Sequence, residues 1–152
     1  MVLIARKSGD ISKEKLLFVY NGTLYGSKAE DFWEYISRDF FAVSGSVYCI
    51  WEENGEYRSA LRVEPYQDGM LLTGLETAPL YRRNGYAKRL LREVISYLKD
   101  NNCARLYSHV QKRNIPSQRF HSKMGFEEVL NYAHFTDGTI SADANTLILN
   151  IE

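Results

Sequence analysis

Met70-Leu-Leu-Thr-Gly-Leu-Glu76-Thr-Ala-Pro-Leu-Tyr-Arg82-Arg-Asn-Gly85-Tyr-Ala87-Lys-Arg-Leu-Leu91 is the stretch that decides the fold. Its apolar start, from Met70 to Leu75, reads as a strand. After it, Leu90, Leu91, Val94, Ile95 and Leu98 recur at helical spacing, opposite Lys88, Arg89, Arg92, Glu93 and Ser96. Between strand and helix lies a short loop, with Gly85 and Ala87 where the helix should begin. Such a loop aims unpaired backbone N–H groups and the positive end of a helix dipole at one point, a site for an anion and most naturally for phosphate. From Thr77 to Arg92 there are five cations (Arg82, Arg83, Lys88, Arg89, Arg92) and no acid. The whole chain, with 19 acids and 19 bases, is neutral, so this excess is local.

Two common nucleotide loops do not fit. A P-loop needs Gly-Lys-Ser/Thr, and Gly85-Tyr86-Ala87 lacks both lysine and hydroxyl. A dinucleotide loop needs three glycines directly after the first strand, and one is present. The spacing Arg82-x-x-Gly85-x-Ala87 instead resembles the pyrophosphate loop of the GNAT family of N-acetyltransferases, (Gln/Arg)-x-x-Gly-x-(Gly/Ala). Downstream, Asn114-Ile-Pro-Ser117-Gln-Arg-Phe120-His121-Ser-Lys-Met-Gly125-Phe126 resembles that family's Asn-x-x-Ala-x-x-Leu-Tyr-x-x-x-Gly-Phe segment. The two matches come in the family's order and cover roughly residues 70–130.

The resemblance implies a mixed α/β fold over residues 1–152 as one domain: a mostly antiparallel sheet, flanking helices and a splayed parallel strand pair that admits the cofactor's pantetheine arm. It implies acetyl-CoA as cosubstrate and direct transfer of the acetyl group to a primary amine in a ternary complex. Residues 82–88 (Arg82, Arg83, Asn84, Gly85, Tyr86, Ala87, Lys88) would hold the pyrophosphate, and Thr77 and Asn114 the arm. Gly85 also reads as an ordinary turn glycine, Thr77 as strand packing and Asn114 as a helix cap.

Attack on a thioester needs a neutral amine, and alkyl amines have pKa values of about 10, so a carboxylate acting directly or through water can remove the proton. Glu76 is the candidate, although family members commonly carry their glutamate nearer mid-strand, where this chain has Leu71-Leu72-Thr73. Glu76 reads equally as a strand-end residue paired with Arg82 or Arg83. His121 stands where the family frequently has a tyrosine that protonates the departing thiolate; an imidazolium can donate that proton, or the ring can only orient the sulfur. Helical spacing turns Phe120 and Met124 toward the core and His121 about 100° away. The missing glutamate and tyrosine keep open a second class, a non-catalytic acyl-CoA-binding sensor or scaffold.

The rest of the chain bounds the problem. At 152 residues with 45% hydrophobic content it suits one soluble domain. No apolar run approaches the ~20 residues of a membrane span, and balanced charge gives no pull toward nucleic acid or membrane. Cys49 and Cys103 form no framework, so a reduced, cytoplasmic setting is expected. The three histidines lack ligand spacing, so no metal is expected. The acceptor, a small-molecule or peptide amine, is not readable, and a homodimer is left open.

Elsewhere, residues 1–5 and 15–20 read as strands and 27–41 as a helix capped by Ser27. Its aromatic cluster, Phe32-Trp33-Tyr35-Phe40-Phe41, reads as core that can also line an acceptor pocket. Asn54-Gly55 marks a hairpin, with its return strand near 56–64. A helix at 85–99, a strand at 104–110, a helix near 116–124 stopped by Gly125, and strands near 126–135 and 145–151 complete the expectation.

Overall fold

Asn54 and Gly55 both take positive φ, 53° and 75°, and close the hairpin expected of them. In this computed structural model, which describes residues 1–151, the turn joins β2 (Val47–Glu53) to β3 (Glu56–Tyr66). β1 (Val2–Ala5) runs antiparallel to β2, from Val2↔Trp51 to Ala5↔Tyr48. A second turn, with Gln67 at φ 50°, leads to β4 (Gly69–Thr77).

The chain divides into two compact units, and β3 and β4 contribute residues to both. The first comprises Met1–Glu64 with Gly74–Ile95, and its strands follow the order β1-β2-β3-β4. Its helices are α1 (Lys13–Val19), α2 (Ser27–Tyr35) and most of α3 (Tyr86–Asp100). Its core gathers Ala5, Leu16, Val19, Tyr20, Ile36, Phe40, Tyr48, Ile50 and Ala60.

The second unit comprises Pro65–Thr73 with Ser96–Glu152. Here β4 pairs parallel with β5 (Arg105–Gln111), from Met70↔Leu106 to Leu72↔Ser108. β9 (Ala144–Asn150) lies antiparallel to β5, and β6 (Glu127–Leu130) antiparallel to β9. α4 (Ile115–Lys123) and a small ribbon of β7 (Ala133–His134) and β8 (Ile140–Ser141) complete the unit. The mixed sheet, mostly antiparallel with the parallel β4–β5 pair and flanking helices, is the expected class. Among the described residues no helix is long and apolar enough to cross a membrane.

Two local expectations are corrected. Residues 15–19 lie in helix α1 with Tyr20 as its C-cap, not in a strand. The buried positions Leu16, Val19 and Tyr20 are spaced three and four apart, which a helix can bury on one side and a strand cannot. Ser12 Oγ accepts from the Lys15 N–H at 3.4 Å and caps the helix, and that cap outweighs the strand-like composition of Leu-Leu-Phe-Val. Ser27 is the first helical residue of α2, with Gly26 before it at φ 53° and no side-chain cap. α2 then runs into a π-helical segment, Ile36–Phe40, whose wider turn buries both Ile36 and Phe40.

The helical register makes a direct test. Leu16→Ala removes a fully buried side chain and is expected to lower the unfolding free energy by about 2–5 kcal/mol. Leu17→Ala, at a half-buried position, should cost clearly less in the same urea titration. Equal losses would contradict the register.

Candidate functional site

The anion loop is built from the inside outward. Tyr86, the first residue of α3, is buried and its ring packs against Tyr81 and Trp51. Its hydroxyl donates to Glu53 Oε2 at 3.0 Å and accepts from Arg58 Nη1 at 2.5 Å. The Arg58 guanidinium also lies 4.2 Å from the Tyr81 ring centroid. The side chain of Tyr86 therefore ties the start of α3 to the β2–β3 hairpin, and only its backbone N–H is left for a ligand. Asn84 Nδ2 donates to the Tyr81 and Arg82 carbonyls at 3.2 and 3.0 Å, and Arg89 Nη2 donates to the Asn84 carbonyl at 3.0 Å. These bonds fix the loop from below.

Above it the loop is bare. Gly85 has φ 77°, and a Cβ there would meet nothing nearer than Arg89 Nε at 4.0 Å. Arg83, Asn84, Gly85 and Lys88 are all exposed. The first N–H groups of α3 have no intrahelical acceptor, so the open glycine face and the helix end together suit a pyrophosphate.

Arg82 is placed differently. Its Nε donates to the Thr77 carbonyl at 3.3 Å and its Nη2 to Glu76 Oε2 at 3.4 Å. The guanidinium lies so close to Gly22 that a Cβ there would come within 2.6 Å of Nη2. Burial pushes the half-buried Glu76 carboxyl above its usual range, and the Arg82 charge draws it partly back. Thr77 is anchored through its side chain: Ser59 Oγ donates to the Glu76 carbonyl at 2.8 Å, so Thr77 Oγ1 donates to Ser59 Oγ at 3.1 Å. The structure thus brings Glu76, Thr77 and residues 82–88 together in the first unit.

Asn114 and His121 belong to the second unit. Asn114 caps α4, its Oδ1 accepting from the Ser117 N–H at 3.1 Å. His121 is the buried residue of α4, 5% exposed, while Phe120 and Met124 are half-buried, the reverse of the helical-wheel expectation. The cause is local: His121 packs on the Phe126 ring at 4.9 Å and finds polar partners inside. Nδ1 lies 2.8 Å from the Ser117 carbonyl, which can only accept, so Nδ1 carries the proton. Nε2 then accepts from the Ser108 hydroxyl at 2.9 Å. Burial holds the imidazole below its ordinary pKa, so the ring is neutral at pH 7.

Ser108, on β5, and Arg62, on β3, escaped the sequence reading. Both sit at alternate strand positions that look like ordinary polar filling, and only pairing partners distinguish them. A separate open groove of about 200 Å³, lined by Glu14, Lys15, Phe18, Gly55, Glu56 and Tyr57, includes none of the sequence-predicted residues. Cys49 is buried on β2 and its thiol is pushed up to about 12, so it holds no thiolate at neutral pH.

Two measurements follow. Native protein at pH 8 should alkylate at Cys103 and spare Cys49 until it is unfolded; early modification of Cys49 would contradict its burial. Nitrogen NMR of the His121 ring should show protonated Nδ1, bare Nε2 and a midpoint below 6.5, the ordinary value for histidine.

Comparison with known proteins places this geometry. The model of the acetyltransferase (GNAT) family matches residues 15–126. Aminoglycoside N(6')-acetyltransferase type 1 of Serratia marcescens is 40% identical over 57 residues, covering 38% of this chain and 39% of that protein. The chain therefore matches about two fifths of that relative's length. Among solved structures, the ribosomal-protein-S18-alanine N-acetyltransferase of Escherichia coli superposes with a TM-score of 0.72 at 20% identity, over 100% of this chain and 95% of that one. An aminoglycoside 6'-N-acetyltransferase complexed with coenzyme A gives 0.69 at 14% identity, over 99% and 97%. At such identities these two structures speak for the fold alone. With its family model spanning most of its length, from ahead of the anion loop to Phe126, the chain belongs to the GNAT acetyltransferase family.

Proposed function

We propose that this protein is an acetyl-CoA-dependent N-acetyltransferase acting on a primary amine, by direct transfer in a ternary complex. The observation that carries the reading is the anion loop: an open Gly85 face at the start of α3, locked from beneath by Tyr86, Asn84 and Arg89. Acetyl-CoA supplies an acyl group already activated as a thioester. Backbone N–H groups of residues 85–88 and the side chains of Arg83 and Lys88 hold the pyrophosphate, with Arg82 recruited from its contact with Glu76. Thr77 serves the pantetheine arm.

Glu76 takes the proton from the acceptor ammonium, directly or through one water. Its raised pKa, from burial only partly offset by Arg82, suits this task by making the carboxylate a stronger base. His121, neutral and accepting from Ser108, takes no proton at rest. Buried Cys49 argues for the direct route, because a thiol with pKa about 12 is a poor acyl acceptor.

The sensor reading draws its support from the Glu76–Arg82 contact, which occupies both groups without a ligand. Calorimetry of CoA binding beside thiol release across an amine panel separates the two. Turnover with any amine supports the enzyme; CoA binding with no turnover supports the sensor. Gly85→Val should weaken CoA strongly in a folded protein, and unchanged affinity would sink the loop assignment.

The base has its own test. A base must be ionised, so activity should fall as pH drops through the Glu76 pKa, at a pH above the ~4.3 of a free glutamate. Arg82→Ala removes the attraction that holds this value down and should move the acid limb upward. Glu76→Gln should lower kcat by about 10²–10⁴-fold if proton transfer limits, and a full-speed variant would exclude the role.

A further inference from the structure

Arg62 carries a charge that meets phenols and aromatic rings but no carboxylate at ion-pair distance among the described residues. It pairs with Tyr48 across β2 and β3, and its guanidinium lies over three aromatic rings, with Cζ 5.5 Å from the Phe32 centroid, 5.8 Å from Tyr48 and 5.9 Å from Phe40. Its Nη1 is buried without a hydrogen-bond partner. Among the described residues no carboxylate comes within ion-pair distance of it. Tyr48 and Tyr20 feel its charge most strongly and Tyr35 and Glu64 feel it too, and none of them forms an ion pair with it. Ring faces offset part of the cost of removing a guanidinium from water, but an orphaned charged N–H still costs stability. For a purely structural position an apolar side chain would serve better.

The surroundings show what the charge faces. Gly74 has φ 62°, and a Cβ on it would stand 2.8 Å from Nη1 and 2.9 Å from Nη2, so the guanidinium lies flat against the bare α-carbon of β4. The Gly74 carbonyl accepts from the Tyr20 hydroxyl at 2.6 Å. A carbonyl cannot donate, so Tyr48 gives its proton to Tyr20, also at 2.6 Å, and the Tyr48 oxygen keeps a lone pair. Both phenols are buried and pushed above their usual range, which keeps them protonated and neutral. No anion among the described residues pairs with Arg62. Two residues further along β4 stands Glu76, about 6–7 Å on by strand rise.

We infer that Arg62 receives a carboxylate on the acceptor, so that the substrate is a primary amine carrying a carboxylate a few bonds away, with Phe32 and Tyr35 along its stem. This rests on the acetyltransferase reading above. A carboxylate fits because a guanidinium offers paired N–H donors to a planar anion. A polycationic acceptor would bring a second ammonium toward a buried guanidinium and is disfavoured.

The test uses wild-type protein first. Thiol release is followed with glycine, 4-aminobutyrate and 6-aminohexanoate, each beside its carboxamide, and with kanamycin as the polycation. At least one carboxylate should exceed its amide in kcat/KM on the order of 10–100-fold, the range of a hydrogen bond to a charged group. Arg62→Gln should bring the pair to parity, and Arg62→Lys should keep part of the preference. CoA affinity by calorimetry should be unchanged in both. Amides or kanamycin turned over as well as the acids, or a preference that survives Arg62→Gln, would overturn the assignment. If CoA binds and no amine reacts, or CoA itself fails to bind, the enzyme reading has failed separately. Arg62 is then judged by its side-chain nitrogen resonances on titration with butyrate: a saturable shift supports a carboxylate site, and no shift refutes it.

Discussion

The hydrogen bond from the Tyr20 hydroxyl to the Gly74 carbonyl is the contact on which the first unit depends. It joins the end of α1 to β4 at the residue where positive φ bends the strand. Without an acceptor there, a buried phenol would lose its partner, and without a donor the bent carbonyl would lose its own. The bond also sets the direction of the Tyr48 proton, and with it the polarity of the wall around Arg62. Glu76 and Thr77 follow two and three residues later on the same strand, and Ser59 fixes them in turn. One bend in β4 therefore governs the placement of Glu76 and Thr77.

Legibility of the sequence tracked how local each determinant is. The hairpin, the strand–loop–helix around Gly85 and the Asn114 cap depend on a few neighbouring residues, and their positions were readable. α1 was misread because Leu16-Leu17-Phe18-Val19 has strand-like composition, and its helical burial at 16, 19 and 20 shows only once the opposing core is known. His121 was misread for a related reason. The helical wheel ranks side chains by hydrophobicity, whereas the fold buried the imidazole because Ser108 and the Ser117 carbonyl satisfy both nitrogens. Arg62 was invisible because a cation on a strand ordinarily points to solvent; the aromatic side chains that cover it come from α2, the π-helical segment and β2.

The loop divides its work between two kinds of group. Side chains with strong hydrogen-bonding capacity, on Tyr86, Asn84 and Arg89, are spent on holding the backbone still. The backbone and an absent side chain form the surface left open. This division suits a phosphate site, because N–H groups fixed by the fold need no reorganisation when an anion arrives. It also explains why a resemblance carried by glycine and alanine positions says more about this loop than the abundance of its cations.

Arg82 is the exception, and its position links the loop to Glu76. Its guanidinium serves Glu76 while the half-buried carboxylate lacks any other cation at ion-pair distance among the described residues. Burial and Arg82 act on Glu76 in opposite directions, and burial is the larger of the two. An anion on the loop competes for the same guanidinium, and whatever attraction it takes from Glu76 leaves desolvation less opposed. Glu76 then becomes the stronger base as the loop fills. Under the proposed function, the group that would accept the amine's proton gains basicity when the acyl donor is in place, through one shared side chain and with no movement of the backbone.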